Sequence, residues 1–417
     1  LEEKSSGIAI LEDICNKPIK VGKMLSETLG LDEILLDLAI TANRPDGMSM
    51  IGIAREISSI NNAKIKIPQT NLNYKILNEK ITDHNFNSIK EDFVFCLSEI
   101  SGIDNRVMTP SIITQRLKLF NINPKNIVVD ISNYIMLETG QPFNLYDKDK
   151  LDKFTKCENK LKDFNVTKNA DHTFNSIDGN KYDLTKECTV VQSNSKTIAI
   201  AGLIGSKETS VDLNTKNLLI ETALFKQSDI RNNSRILGIR SESSNRFEKG
   251  IPYQLTKDCT RRLIDIILNN VGGELSNSSC FSNITEKDKF IKLRKNKIHQ
   301  ILGPINNNTK ASNDKNDNML KQDIDYLSDL SIENILNSLG CTFTLLEEGW
   351  KVKVAPYRSL DLIREIDLIE EIARLVGFNK FQANIPDPIH PGKLSPIQTI
   401  ERNIRVLLCS QGLQEIN

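Results

Sequence analysis

The spacing of apolar positions changes along this chain, and each change of period marks a new unit. Gly7-Ile-Ala-Ile-Leu11 is a short apolar run, Leu31 to Ile40 has strand character, and Thr41-Ala-Asn-Arg-Pro-Asp-Gly47 carries turn chemistry at Asp46-Gly47. From Ser49 onward Ile51, Ile53, Ala54, Ile57 and Ile60 recur at helical spacing behind a serine placed to cap them. Next comes a mixed block, 70–284. Within it Ile127-Val-Val-Asp130 predicts a buried strand, and Asn133 to Leu137 a helix-like turn ended by Gly140. A turn at Asp178-Gly179 separates short strands near Ser176-Ile177 and Lys181 to Leu184. Thr197-Ile-Ala-Ile-Ala-Gly202 and Asn217-Leu-Leu-Ile-Glu-Thr222 predict two more strands, and Gly202 and Gly205 allow close backbone approach. A helix closes the block from Pro252 to Val271, apolar at Leu255, Cys259, Leu263, Ile266 and Ile267, with Gly272 beyond its end.

From Phe290 the order becomes strand, helix, helix, hairpin, helix, which is compatible with a winged-helix-like domain. Phe290 to Leu293 leads into a helix stopped by Gly303, Ser331 caps Ile332 to Leu339, and Cys341 to Leu346 pairs with Trp350 to Val354 around Glu348-Gly349. Residues 306–325 are dominated by Asn, Lys and Asp, the composition of a mobile surface insertion. The last segment, 394–417, holds Leu394-Ser-Pro and a helix with Ile397, Ile400, Ile404, Leu407 and Leu408 on one face.

The densest pattern is Asp361-Leu-Ile-Arg-Glu-Ile-Asp-Leu-Ile-Glu-Glu-Ile-Ala-Arg-Leu-Val-Gly377. At about 100° per residue, Leu362, Ile366, Ile369, Ile372, Ala373 and Val376 form an apolar stripe, with Ile366 as a core residue and Asp367, Glu370 and Glu371 together opposite. Those acids are either matched on the helix, Arg364 with Asp367 and Glu370 with Arg374, or gathered as oxygen ligands for a hard cation. Periodicity does not choose between the two.

Composition narrows the classes. Lysine plus arginine equal aspartate plus glutamate at 54 each, so any nucleic-acid contact must come from local patches rather than bulk charge. The eight cysteines never form Cys-x-x-Cys and read as reduced thiols, and the four histidines are scattered. No stretch approaches the roughly 18 apolar residues of a membrane span, which gives the expectation of a soluble, cytoplasmic protein with no membrane partner. Leu1 at the start, and a stop soon after an amphipathic helix, suggest a piece of a longer protein.

Ala355-Pro-Tyr-Arg-Ser-Leu-Asp361 followed by Glu365 to Phe378 resembles the beta subunit of bacterial-type phenylalanyl-tRNA synthetase, in the segment that gives acids to a magnesium site facing the alpha subunit. The resemblance implies Asp361, Asp367, Glu370 and Glu371 as metal residues. Val128 to Asp147, Ala201-Gly202, Glu221 and Arg240 to Gly250 are similar to the same family's editing module, in the same order. Residue by residue, the implied pocket comprises Ser132, Asn133, Asn144, Ala201, Gly202, Glu221 and Ser243, of which Asn144 and Ser243 depart from the family's histidine and alanine. The chemistry implied is hydrolysis of tyrosine misattached to tRNA(Phe). Glu221 would accept the phenol, and Ser132 and Asn133 would orient the ester or a water. Asparagine cannot act as a base near neutral pH, so the departures imply an impaired pocket.

Arg231, Arg235, Arg240, Arg246 and Lys249 are candidate tRNA-phosphate contacts, or internal ion pairs with the interleaved Glu242 and Glu248. The resulting expectation is a multidomain α+β protein. It comprises a lead-in segment (1–62), a mixed α/β editing and tRNA-binding module (70–284), a winged-helix-like domain with the acidic helix (288–385), and the start of a catalytic-like core (393–417). The resemblance further implies a fragment, without the family's oligonucleotide-binding domain and without the remainder of that core. Function would be support of ATP-dependent charging of tRNA(Phe) in an alpha2-beta2 tetramer, with Mg²⁺ shared with the alpha subunit and ATP a substrate of the holoenzyme. The alternative is a stand-alone RNA-binding or interaction module without catalytic activity.

Overall fold

In the two long antiparallel strands at the centre of the main sheet, odd-numbered side chains enter one core, while even-numbered ones on the opposite face join a second core or, at Val94 and Cys96, a small cluster with Cys280. The computed structural model describes residues 11, 19–29, 34–61, 63–70, 77–78, 86, 92–168, 172–284, 288–305, 325–383 and 392–416. The sheet runs in the order β1 (Leu77–Asn78), β11 (Glu274–Ser282), β2 (Val94–Ser101), β10 (Asn217–Leu224), β3 (Asn144–Asp147); β1 and β11 are parallel and the other pairs antiparallel. Leu218 and Ile220 pack with Ile100 against helices of the second core, whereas Leu219 and Ala223 join Phe95 and Leu97 in the first. Period-2 alternation thus buries both faces of the sheet.

Three helices precede or flank this sheet: α1 (Leu25–Leu29), α2 (Met50–Asn61) and α3 (Ser111–Leu119). The second core is covered by α4 (Ile127–Thr139) and by a long helix at Tyr253–Val271. Ile127 to Asp130 is therefore helix, not the strand its β-branched residues suggested. Asn126 accepts a hydrogen bond from the Val129 amide at 3.2 Å and Gly140 closes the far end in the left-handed region, so the caps and the apolar face override local β preference. Residues 34–40 have no regular structure, against the expected strand, and Gly7 to Ile10 lie outside the described residues. Ser49 caps α2 as expected, accepting from the Gly52 amide at 3.0 Å.

The first core also holds α5 (Lys148–Thr155) and a small antiparallel sheet, β4 (Phe164–Thr167), β7 (Val190–Ser193), β8 (Lys196–Ile200) and β9 (Ile204–Gly205). A separate hairpin, β5 (Thr173–Asn175) with β6 (Lys181–Asp183), turns at Asp178-Gly179. After β10 come α6 (Gln227–Leu237), α7 (Glu242–Lys249) and α8 (Tyr253–Val271). Cys96 and Cys280, paired in register across β2 and β11, form a disulfide, which corrects the expectation of eight free thiols.

A third core lies under the three-stranded sheet β12 (Phe290–Arg294), β14 (Gly349–Lys353), β13 (Thr342–Leu346), with Trp350 fully buried. Around it stand α9 (Lys295–Leu302), α10 (Asp329–Ser338) and α11 (Glu365–Val376). Ser328, not Ser331, caps α10, because the helix starts a turn earlier and Ser331 falls inside it. Residues 306–324 of the Asn-rich stretch lie outside the described residues. The last helix, α12 (Pro396–Ser410), is capped by Ser395, and its apolar residues Ile397, Ile400 and Ile404 are exposed. The whole is a multidomain α+β fold.

α11 does not present the expected stripe. Leu368, Ile369, Ile372 and Ala373 are buried, but Ile366 is 42% exposed. The expectation extended the helix back to Asp361, whereas the helix begins at Glu365 and Leu362 reaches the core from the preceding turn. The helix is consequently rotated, and Glu371 faces inward with the apolar residues.

That inward carboxylate belongs to a network joining α11 to the Arg44-Pro-Asp46 turn and α2. Arg358, 2% exposed, donates to Asp361 at 2.6 and 2.8 Å and to Glu371 at 3.1 Å. Arg374 donates to Glu371 at 2.6 Å and also binds Glu56 on α2. Arg44 closes the circuit, donating to Asp46 and Glu56 at 2.9 Å each. Burial pushes both Glu371 and Asp361 upward. Glu371 has two guanidinia, Arg374 and Arg358, which overcome burial and hold it at about 2. Asp361 has Arg358 alone, and burial keeps it above its ordinary value.

Ile372→Ala should cost about 2–5 kcal/mol in chemical denaturation, while Ile366→Ala should stay under about 1 kcal/mol. Arg358→Ala strands the carboxylate of Asp361 and leaves Glu371 with Arg374 alone, and should cost about 3–5 kcal/mol. Because the Glu371 pKa is depressed on folding, its stabilisation is present above about pH 5 and is lost as pH falls towards about 2; Glu371→Gln should flatten that part of an acid-unfolding profile.

Candidate functional site

Asn144 on β3 stands directly opposite Glu221 on β10 in the antiparallel register, so both side chains project from the same face of the sheet. They enter a cavity of about 200 Å³ walled by Phe143, Ile204, Ala223, Phe225 and Phe247, with Ser243 and Gly202 at its sides. That volume is below the roughly 300–1,000 Å³ of drug-sized pockets and suits one side chain. Gly202, at φ +68°, must lack a Cβ: one built there would come 2.6 Å from Ile230. Gly205 leaves room for the Asn144 amide, since a Cβ there would sit 3.2 Å from its oxygen.

The polar groups of the pocket form a directed chain. Asn144 Nδ2 donates to the Tyr146 hydroxyl at 2.7 Å, and that hydroxyl donates to Glu221 Oε2 at 2.5 Å. Burial in the apolar first core raises the Glu221 carboxyl to about 7, against the lowering effect of its hydrogen bonds to Tyr146 and Asn144. Burial, and then the neighbouring Glu221, push the Tyr146 phenol well above its ordinary value, so it stays a donor. Near neutral pH the carboxyl therefore interconverts between acceptor and donor, a property suited to recognising a hydroxyl.

Of the seven pocket residues expected from sequence, Asn144, Gly202, Glu221 and Ser243 line the cavity, and Ala201 is buried between two lining residues, Ile200 and Gly202. Ser132 and Asn133 lie on α4 outside the lining. Ser132 is one turn before Met136, whose sulfur is 3.9 Å from the Ser243 hydroxyl. Tyr146 was missed. Its signal was present, because on a strand position 146 shares a face with position 144.

The basic group separates into two sets. Arg246 is buried and ion-paired with Glu242 at 2.5 Å, and Lys249 donates to the Ile40 carbonyl at 3.0 Å. Arg231, Arg235 and Arg240 are exposed. The four acids of the metal expectation are likewise dispersed: Asp361 and Glu371 surround Arg358, Asp367 caps the start of α11 through the Arg364 amide at 2.7 Å, and Glu370 is exposed. Arg374 pairs with Glu371 and Glu56 rather than Glu370. Among the described residues no group of three or more His, Cys, Asp or Glu is placed to hold a metal ion. Within this chain Asp361 and Glu371 are held by Arg358, Glu371 also by Arg374, and Asp367 by Arg364, so among the described residues Glu370 alone of the four acids faces solvent without a guanidinium.

Residues 93–272 match the B3/4 domain family, and residues 291–378 match the tRNA synthetase B5 domain family. Curated proteins called phenylalanine–tRNA ligase beta subunit align over the whole chain. They include those of Prochlorococcus marinus strain MIT 9313 (37% identical over 417 residues, 50% of that protein), strain MIT 9312 (40% over 419 residues, 50%) and Synechococcus sp. strain CC9605 (37% over 420 residues, 49%). The chain spans about half the length of these curated relatives. No helix among the described residues is long and apolar enough to cross a membrane. With a B3/4 match around the pocket, a B5 match around the third core, and this identity along its full length, the chain belongs to the phenylalanine–tRNA ligase beta-subunit family.

Proposed function

We propose that this chain works within the beta subunit of a cytoplasmic phenylalanine–tRNA ligase, supporting ATP-dependent charging of tRNA(Phe) beside an alpha subunit in an alpha2-beta2 tetramer, and that its pocket hydrolyses tyrosine misattached to that tRNA. The observation that carries the editing reading is Glu221: a nearly buried carboxyl at the polar end of a side-chain-sized apolar cavity, inside the B3/4 match. A site that binds phenylalanine for charging rejects an added hydroxyl poorly, and a second cavity with a polar end sorts by the opposite rule.

The residues divide the work. Phe143, Phe225 and Phe247 would enclose the aromatic ring, and Glu221 would bind the hydroxyl. Water then attacks the ester carbonyl, the bond to the ribose oxygen breaks, and that oxygen takes a proton as tyrosine leaves. Asn144 can hold the water or the ester but cannot take its proton, which supports slow hydrolysis. Arg231, Arg235 and Arg240, exposed on and beside α6, are the basic residues that remain available to tRNA phosphates. Mg²⁺ and ATP would serve the assembled ligase.

In the full-length heterotetramer, Asn144→His should raise Tyr-tRNA(Phe) hydrolysis about tenfold, and Glu221→Ala should weaken discrimination between tyrosyl and phenylalanyl esters. An unchanged rate with Asn144→His would show that the pocket activates water by another route. With Glu221 at about 7, the preference for the tyrosyl ester should rise with pH through neutrality as the carboxyl becomes a full acceptor, and Glu221→Gln should remove that rise.

A further inference from the structure

The acceptor that would read a substrate hydroxyl is already bound by a phenol of the chain itself. Tyr146, 1% exposed and packed in the first core, donates its hydroxyl to Glu221 Oε2, and Asn144 supports that hydroxyl from the other side. Tyr146 reaches this position through register alone. It follows Asn144 by two residues on β3 and lies opposite Leu219, two residues before Glu221 on β10, so all four side chains share one face. A carboxylate accepts through two oxygens, and here one of them is taken by a group chemically equivalent to the side chain to be recognised.

We propose that Tyr146 is the specificity-determining residue of this pocket, its phenol occupying one oxygen of Glu221 and so reducing the advantage that a hydroxylated aromatic ligand has over an unhydroxylated one. The inference rests on the editing reading above and adds the residue that sets its selectivity. An incoming tyrosyl hydroxyl must either share the carboxyl with Tyr146 or displace it, and displacement leaves a buried phenol without its partner. A phenylalanyl ring meets no such competition. The chain of Asn144, Tyr146 and Glu221 is satisfied before any ligand arrives, so the pocket gains less from a hydroxyl than a cavity with an open carboxylate.

Tyr146→Phe tests this, because it keeps the ring that packs in the core and removes only the competing hydroxyl. In the full-length heterotetramer, the ratio of kcat/KM for hydrolysis of Tyr-tRNA(Phe) to that of Phe-tRNA(Phe) should rise about tenfold, the size of one hydrogen bond of about 1.4 kcal/mol. Adding Glu221→Gln to Tyr146→Phe should abolish the gain, since the benefit comes through the carboxylate. Should Tyr146→Phe reduce expression, calorimetric binding of free tyrosine and phenylalanine to the wild-type and Glu221→Gln proteins provides the second measurement: the wild type should prefer tyrosine only weakly. A ratio that is unchanged or lower in Tyr146→Phe, or a strong wild-type preference for tyrosine, overturns the role of Tyr146 while leaving the pocket as an editing site. Failure of every form to hydrolyse or bind tyrosine overturns both.

Discussion

Burial of the Arg358 guanidinium among carboxylates is the constraint around which this protein is assembled. A charge in that position is tolerated only if oxygens surround it, and Asp361 and Glu371 supply them from the turn before α11 and from the helix itself. Arg374 and Arg44 then carry the pattern outward to Glu56 and Asp46, so three arginines and four acids bind the B5 part of the chain to α2 and its preceding turn. Their combined requirement fixes the rotation of α11, turning Glu371 inward and leaving Ile366 in solvent. The same requirement gives Asp361 and Glu371 their guanidinium partners within this chain.

A second buried charge problem is solved differently in the pocket. Glu221 has no cationic partner among its hydrogen bonds; a phenol and an amide support the carboxyl, and burial lifts its pKa to about 7 where Glu371 falls to about 2. Burial pushes both carboxyls upward; for Glu371 the neighbouring guanidinia outweigh it, whereas Glu221 has no such charge to oppose it. An acceptor of that kind is responsive to pH and to competing donors. Those are properties of a recognition group, whereas the Arg358 network has the properties of a fastening.

Much of the fold was legible from local rules. The cap at Ser49, the glycine stop after Val271, the hairpin around Glu348-Gly349 and the apolar strands β8 and β10 follow from turn chemistry and apolar patterning that tertiary context reinforced. Local rules failed where two of them competed. Ile127-Val-Val reads as strand by side-chain branching, yet a cap at Asn126 and a helix-wide apolar face made it helix. Cys96 and Cys280, 184 residues apart, meet because β2 and β11 are neighbours, which no spacing in the chain reveals.

The candidate site shows the same division. Sequence by itself determined which side chains were available: Glu221 on an apolar strand, Asn144 and Ser243 at their positions in ordered motifs, and an acidic helix with an arginine ahead of it. Only once Asn144 to Asp147 is known to be a strand does Tyr146 share a face with Asn144, because alternation is a property of the extended backbone. Only the tertiary structure decided the pairings. Register brought Asn144 opposite Glu221 and Tyr146 against its carboxyl, and packing sent Glu371 to Arg358 and Arg374 while leaving Glu370 exposed. The reason is that the energy of a buried charge depends on what surrounds it in three dimensions, and residues distant in sequence supply most of those surroundings.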